Sequence, residues 1–151
     1  MLKYLHTTEY NEEFKEVILD FSVDQSLKNG YLISNSLGSD IFGDFETVSW
    51  EIESLLELLL GKTSLYKGGG NVNLIRSDKY FTIIEDIFTE EDEEQGVCQI
   101  ETIEYLKIIV VWAKENFLYK CTRGAISKEQ AELIINWLNK KYVDINKLES
   151  Y

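Results

Sequence analysis

Apolar side chains recur with a helical period in three stretches of the chain and with a strand period in several shorter ones. Val48, Ile52, Leu55, Leu56 and Leu59 are spaced by threes and fours, and Gly61 follows where a left-handed residue would stop a helix. The spacing predicts a helix from Thr47, with Glu46, Glu53 and Glu57 on its opposite face and the early acids at the positive end of the helix dipole. Thr102 to Leu118 holds no Gly or Pro, and Ile103, Leu106, Val110, Ala113 and Phe117 mark one apolar flank. Ile109, Val111 and Trp112 mark another, so this helix should be central and covered on more than one side. A last helix is announced by Ser127-Lys128-Glu129-Gln130, in which the Ser and Gln side chains can satisfy each other's free backbone N–H groups. Ala131, Ile134, Ile135, Leu138 and Tyr142 give it one apolar stripe.

The strand signals lie between these helices. Val72 to Arg76 and Lys79 to Phe88 are rich in β-branched and aromatic residues around the polar connector Ser77-Asp78, which describes a β-hairpin. Gly68-Gly69-Gly70 before it reads as a tight turn or bulge, and Val97 to Ile100 adds a strand. Asn29-Gly30 is a turn signal, after which Tyr31-Leu32-Ile33 is expected as a short strand and Ser36 to Asp44 as a loop. Leu2, Tyr4 and His6 alternate as a strand would. Residues 14 to 21 fit two templates: Phe14, Val17, Ile18 and Phe21 form a helical stripe, while Val17, Leu19 and Phe21 share one face of a strand. The expected fold is α+β: one domain over residues 1–151, with an antiparallel sheet packed against three or more helices, a single layer of them covering one face.

Composition supports a folded chain and narrows its partners. The 151 residues are 44% apolar and 13% aromatic, with 15 Lys+Arg against 27 Asp+Glu and a net charge of −12. Such a surface is repelled by phosphate backbones and by acidic membranes, so neither nucleic acid nor membrane is an expected partner. The apolar run Ile108 to Ala113 is far short of a membrane span, and the first residues lack the apolar core of a signal peptide, so the cytoplasm is the expected compartment. The negative charge is local. Residues 80 to 106 carry nine acids and no base, and a second basic-free window from Asn29 to Gly61 holds Asp40, Asp44, Glu46, Glu51, Glu53 and Glu57. Gathering one sign costs self-repulsion and suits the steering of a positive partner, although a solvated loop over Thr89 to Gly96 is the plainer alternative.

Catalytic signals are sparse. His6 is the only histidine, which removes the usual general base, the Ser-His and Cys-His pairs and multi-histidine metal sites. Cys98 and Cys121 have no metal or redox spacing and read as free, packed thiols. Glu90 to Glu94 lacks the alternating ligands and central glycine of a calcium loop, and the glycine triplet lacks the Lys and following helix of a phosphate loop. No cofactor or metal is implied. Carboxylate pairs are uninformative in a chain with 27 acids, and Trp50, Trp112 and Trp137 sit among apolar neighbours on helices, as core anchors do.

The order of elements adds a resemblance. Leu58-Leu59-Leu60-Gly61, then Tyr66-Lys67-Gly68-Gly69-Gly70-Asn71 opening a hairpin, then Ile100-Glu101-Thr102 leading into Glu104-Tyr105-Leu106 and on to Trp112, resembles small bacterial immunity proteins of contact-dependent growth inhibition and related polymorphic toxin systems. The likeness covers about residues 46 to 118 and carries over no binding residues. It implies a non-enzymatic antitoxin acting in the cytoplasm on a cognate toxin domain, often a nuclease. An inhibitor of that kind would offer carboxylates where the toxin expects phosphates. The expected contact residues are Asp40, Asp44 and Glu46 in one window and Glu90, Glu91, Asp92, Glu93 and Glu94 in the other, with aromatics ringed by acids carrying most of the affinity. The rival readings are an acidic adaptor that binds a peptide or subunit, and a small hydrolase that works with carboxylates alone.

Overall fold

The strand template wins at the N-terminal end. In the computed structural model, which describes residues 2–38, 44–69, 73–87 and 96–149, strands β1 (Thr7–Asn11) and β2 (Glu16–Asp20) pair antiparallel with Tyr10 opposite Val17. Val17, Leu19 and Phe21 are buried, whereas Phe14 is 69% exposed, so the period of two is the one that packs. The strand expected at Leu2 to His6 begins only at Thr7.

Tyr31-Leu32-Ile33 is not a strand but the start of helix α1 (Tyr31–Ser36). Gly30 ends the preceding turn against the Phe21 carbonyl, where a Cβ would lie 2.5 Å from the oxygen, so the chain passes there only with glycine. Leu32, Ile33, Ser36 and Leu37 are all buried, a spacing that only a helix can present to one side. α1 packs against β2 and also against the strands of the second sheet, and so fills the space between the two.

That second sheet has the order β3-β4-β5-β6, all antiparallel: β3 (Tyr66–Gly69), β4 (Asn73–Ser77), β5 (Phe81–Asp86) and β6 (Val97–Glu101). Gly68 and Gly69, expected in a turn or bulge, are instead paired strand residues opposite Ile75 and Leu74. The connector between β4 and β5 is Asp78 to Tyr80, with Ser77 belonging to β4. Asp78 Oδ1 shapes the turn by accepting from the Tyr80 and Phe81 amides at 2.7 and 2.8 Å. Ile75, Ile84, Cys98 and Ile100 point into the core, while Leu74, Arg76, Phe81 and Gln99 face outward. The helices therefore cover one face of this sheet.

Helix α2 (Phe45–Leu59) starts two residues earlier than its apolar pattern suggested, because Asp44 rather than a later residue caps it. It ends as expected: Gly61 has φ +78°, and the amides of Gly61 and Lys62 reach back to the carbonyls of Leu58 and Glu57 at 3.1 and 2.9 Å. Helix α3 (Thr102–Thr122) is the centre of the molecule, buried on several flanks and packed against β2, β5, β6, α2 and α4. Helix α4 (Lys128–Glu149) begins with the expected reciprocal cap and lies on α3 and α2. The fold is α+β, with a small two-stranded sheet added to the main one. No helix among the described residues is long and apolar enough to cross a membrane.

Candidate functional site

Helix α2 has one face in the core and one in solvent. Val48, Ile52, Leu55, Leu56 and Leu58 are buried, each side chain contributing about 1.5–3 kcal/mol of burial, and this fixes the rotation of the helix. Glu46, Trp50, Glu53 and Glu57 then fall at i, i+4, i+7 and i+11 and share the outer face. Trp50, expected as a core anchor, is 68% exposed. Its position was legible on the helical wheel, since it stands two residues from both Val48 and Ile52, about 200° around from each at roughly 100° per residue. The other two tryptophans do pack: Trp112 is buried, and Trp137 is half-buried.

Around the exposed indole lies an open depression of about 450 Å³ lined by Glu46, Thr47, Ser49, Trp50 and Glu53. Its floor is held from both ends. At the N-terminal end the Asp44 carboxylate accepts from the Thr47 amide at 2.9 Å, and that bond holds its carboxyl below the usual carboxylate range. Phe45 meets the rings of Trp137 and Phe117 edge-on, at centroid distances of 5.3 and 6.2 Å, and so ties the start of α2 to α4 and α3. Further along, Lys141 of α4 donates to Glu53 Oε1 at 2.6 Å, with its ammonium 5.2 Å from the centre of the Trp137 ring. On the inner flank Tyr66 donates to Glu51 Oε1 at 2.7 Å, and burial pushes its phenol above the usual range.

Of the eight expected contact residues, Asp44 and Glu46 are placed here. Asp44 works as a helix cap, with the half-buried Lys120 ammonium adding to its stabilisation, while Glu46 opens onto the depression. Asp40 and Glu90, Glu91, Asp92, Glu93 and Glu94 lie outside the described residues. Glu53 and Trp50 join the site without having been expected there as contacts. Among the described residues Glu46 and Glu57 form no salt bridge, whereas Glu53 does. Elsewhere His6 packs its ring on Phe21 at 5.1 Å, and Cys98 and Cys121 are both free thiols, the first buried and the second half-buried. Among the described residues no group of three or more His, Cys, Asp or Glu side chains is placed to hold a metal ion.

Chemically, this surface offers an aromatic face and several carboxylates to a cationic group. No protein-family model matches the chain, and neither a curated protein nor a solved structure does.

Proposed function

We propose that this chain is an immunity protein: a non-enzymatic antitoxin that acts in the cytoplasm by binding a cognate toxin domain, by preference a nuclease, and covering its basic active-site surface with acidic side chains. The observation that carries this reading is the outer face of α2, where an exposed indole stands among carboxylates in a stretch of chain with no base between Lys28 and Lys62. A nuclease must present Lys and Arg to phosphate. A chain of net charge −12 approaches such a surface along a favourable field, and aromatic burial at contact then slows dissociation. The acids outside the described residues, Asp40 and Glu90 to Glu94, would extend the same field.

The test begins with the toxin domain that the reading requires, the C-terminal domain of a secreted protein encoded directly upstream. Titration calorimetry of the two purified proteins should give a tight 1:1 complex that weakens steeply with added salt. Reversal of Glu46, Glu53 and Glu57 to Lys should weaken it at least tenfold and abolish protection of cells producing the toxin. Absence of a complex, or protection that survives deletion of this gene, would overturn the proposal.

A further inference from the structure

We infer that the depression around Trp50 receives one arginine side chain of the basic partner, its guanidinium stacked on the indole and bonded to Glu46 and Glu53. This rests on the antitoxin reading and assigns the site's occupant within it. Three observations converge. The indole is exposed on a helix whose opposite face is buried in the core, so it is open to a partner as it stands. Glu46 and Glu53 sit four residues before it and three after it, on the same face and lining the same depression. The molecule also uses this device within itself: the Lys141 ammonium lies over the Trp137 ring while bonded to Glu53, a cation held between an indole and a carboxylate one helix away.

Charge decides the class of occupant. Two copies of this chain would bring acids against acids on this face, so self-association is disfavoured and the complement is cationic. Geometry favours arginine over lysine. A planar guanidinium can lie flat on an indole and still donate in its own plane to carboxylates on either side, which a compact ammonium cannot do. The depression, about 450 Å³, has room for that side chain and its aliphatic stem.

The test uses the full-length chain and a tetra-arginine peptide at low salt, followed by the three indole N–H signals in a proton–nitrogen spectrum. The signal lost in Trp50→Phe identifies Trp50. On titration that signal should move, with those of Trp112 and Trp137 staying in place. Trp50→Ala should weaken binding by about twofold to fivefold, the worth of a cation–π contact at an open site, while Trp50→Phe retains most of it. The Glu46→Gln, Glu53→Gln pair should weaken it further, and tetra-lysine should bind about threefold more weakly than tetra-arginine. An unmoved Trp50 signal, or equal affinity in Trp50→Ala, would overturn the inference. The antitoxin reading is judged apart from this: wild-type affinity of Trp50→Ala for the toxin domain would discard the arginine site and leave the antitoxin standing, whereas a toxin domain that ignores the wild-type chain would discard the antitoxin.

Discussion

The indole N–H of Trp112 donates to the carbonyl oxygen of Val17 at 2.8 Å, across 95 residues of sequence. Both residues are buried, and the bond fastens the middle of α3 to the second strand of the small sheet. Trp112→Phe keeps an aromatic ring there but removes the donor and leaves that acceptor without it. The expected cost is about 1–3 kcal/mol, read as a lower urea midpoint at unchanged slope. An unchanged midpoint would show that the bond carries no stability.

The way these segments settled shows where sequence suffices and where it does not. Ser127 and Gln130 satisfy each other within three residues, so the start of α4 could be read directly. Gly61 and Gly124 close α2 and α3 with φ of +78° and +77°, again a local matter, although only the first was anticipated. Residues 14 to 21 matched both periods, and the choice lay in the packing of β2 against α1 and α3, which no local pattern contains. Tyr31 to Ile33 had strand composition, but space between two sheets selected a helix. β3 carries two glycines and little β propensity; it is a strand because β4 supplies its partner. At the site, the acids were visible as a charge window, whereas Trp50 was misjudged because its apolar character outweighed its place on the wheel.

Removal of the reciprocal cap should be felt at the start of α4. Ser127 Oγ accepts from the Gln130 amide, and Gln130 Oε1 accepts from the Ser127 amide, both at 3.1 Å. Ser127→Ala should cost about 0.5–2 kcal/mol, while Ser127→Asp keeps an acceptor and retains most of the stability. Faster hydrogen exchange at the Gln130 amide in the Ala variant, with the rest of the spectrum unmoved, locates the effect.

The two thiols should differ in reactivity. Cys98 is buried in β6, and burial pushes its thiol up to about 11, so little thiolate exists at pH 8 and no reagent can reach it. Cys121, near the end of α3, is half-buried. With a disulfide reagent at pH 8 the native chain should therefore show a single fast thiol, and Cys121→Ser should show none until denaturant is added. Two equally fast thiols would contradict the burial of Cys98.

Acid should weaken the N-terminal segment through Asp24. Its carboxylate accepts from the Ser26 hydroxyl at 2.5 Å and from the Leu5 and Ser26 amides at 2.7 and 2.9 Å, which tethers the chain before β1 to the turn after β2. The Ser26 hydroxyl first, and then the Leu5 amide, hold this carboxyl below its ordinary value of 3.8. Because the folded value lies below the unfolded one, the stabilisation is complete above about 3.8 and is lost as pH falls through the folded value. Asp24→Asn keeps the shape of the side chain but not its charge. Wild type should therefore be the more stable of the two at pH 7, by a margin that stays constant down to about pH 5 and then shrinks as the wild-type carboxyl takes up its proton. Urea midpoints of both proteins across that range decide the matter, because the other acids titrate in both and cancel in the difference. A margin that persists undiminished at the acid end would mean that the Asp24 bonds gain nothing from its charge.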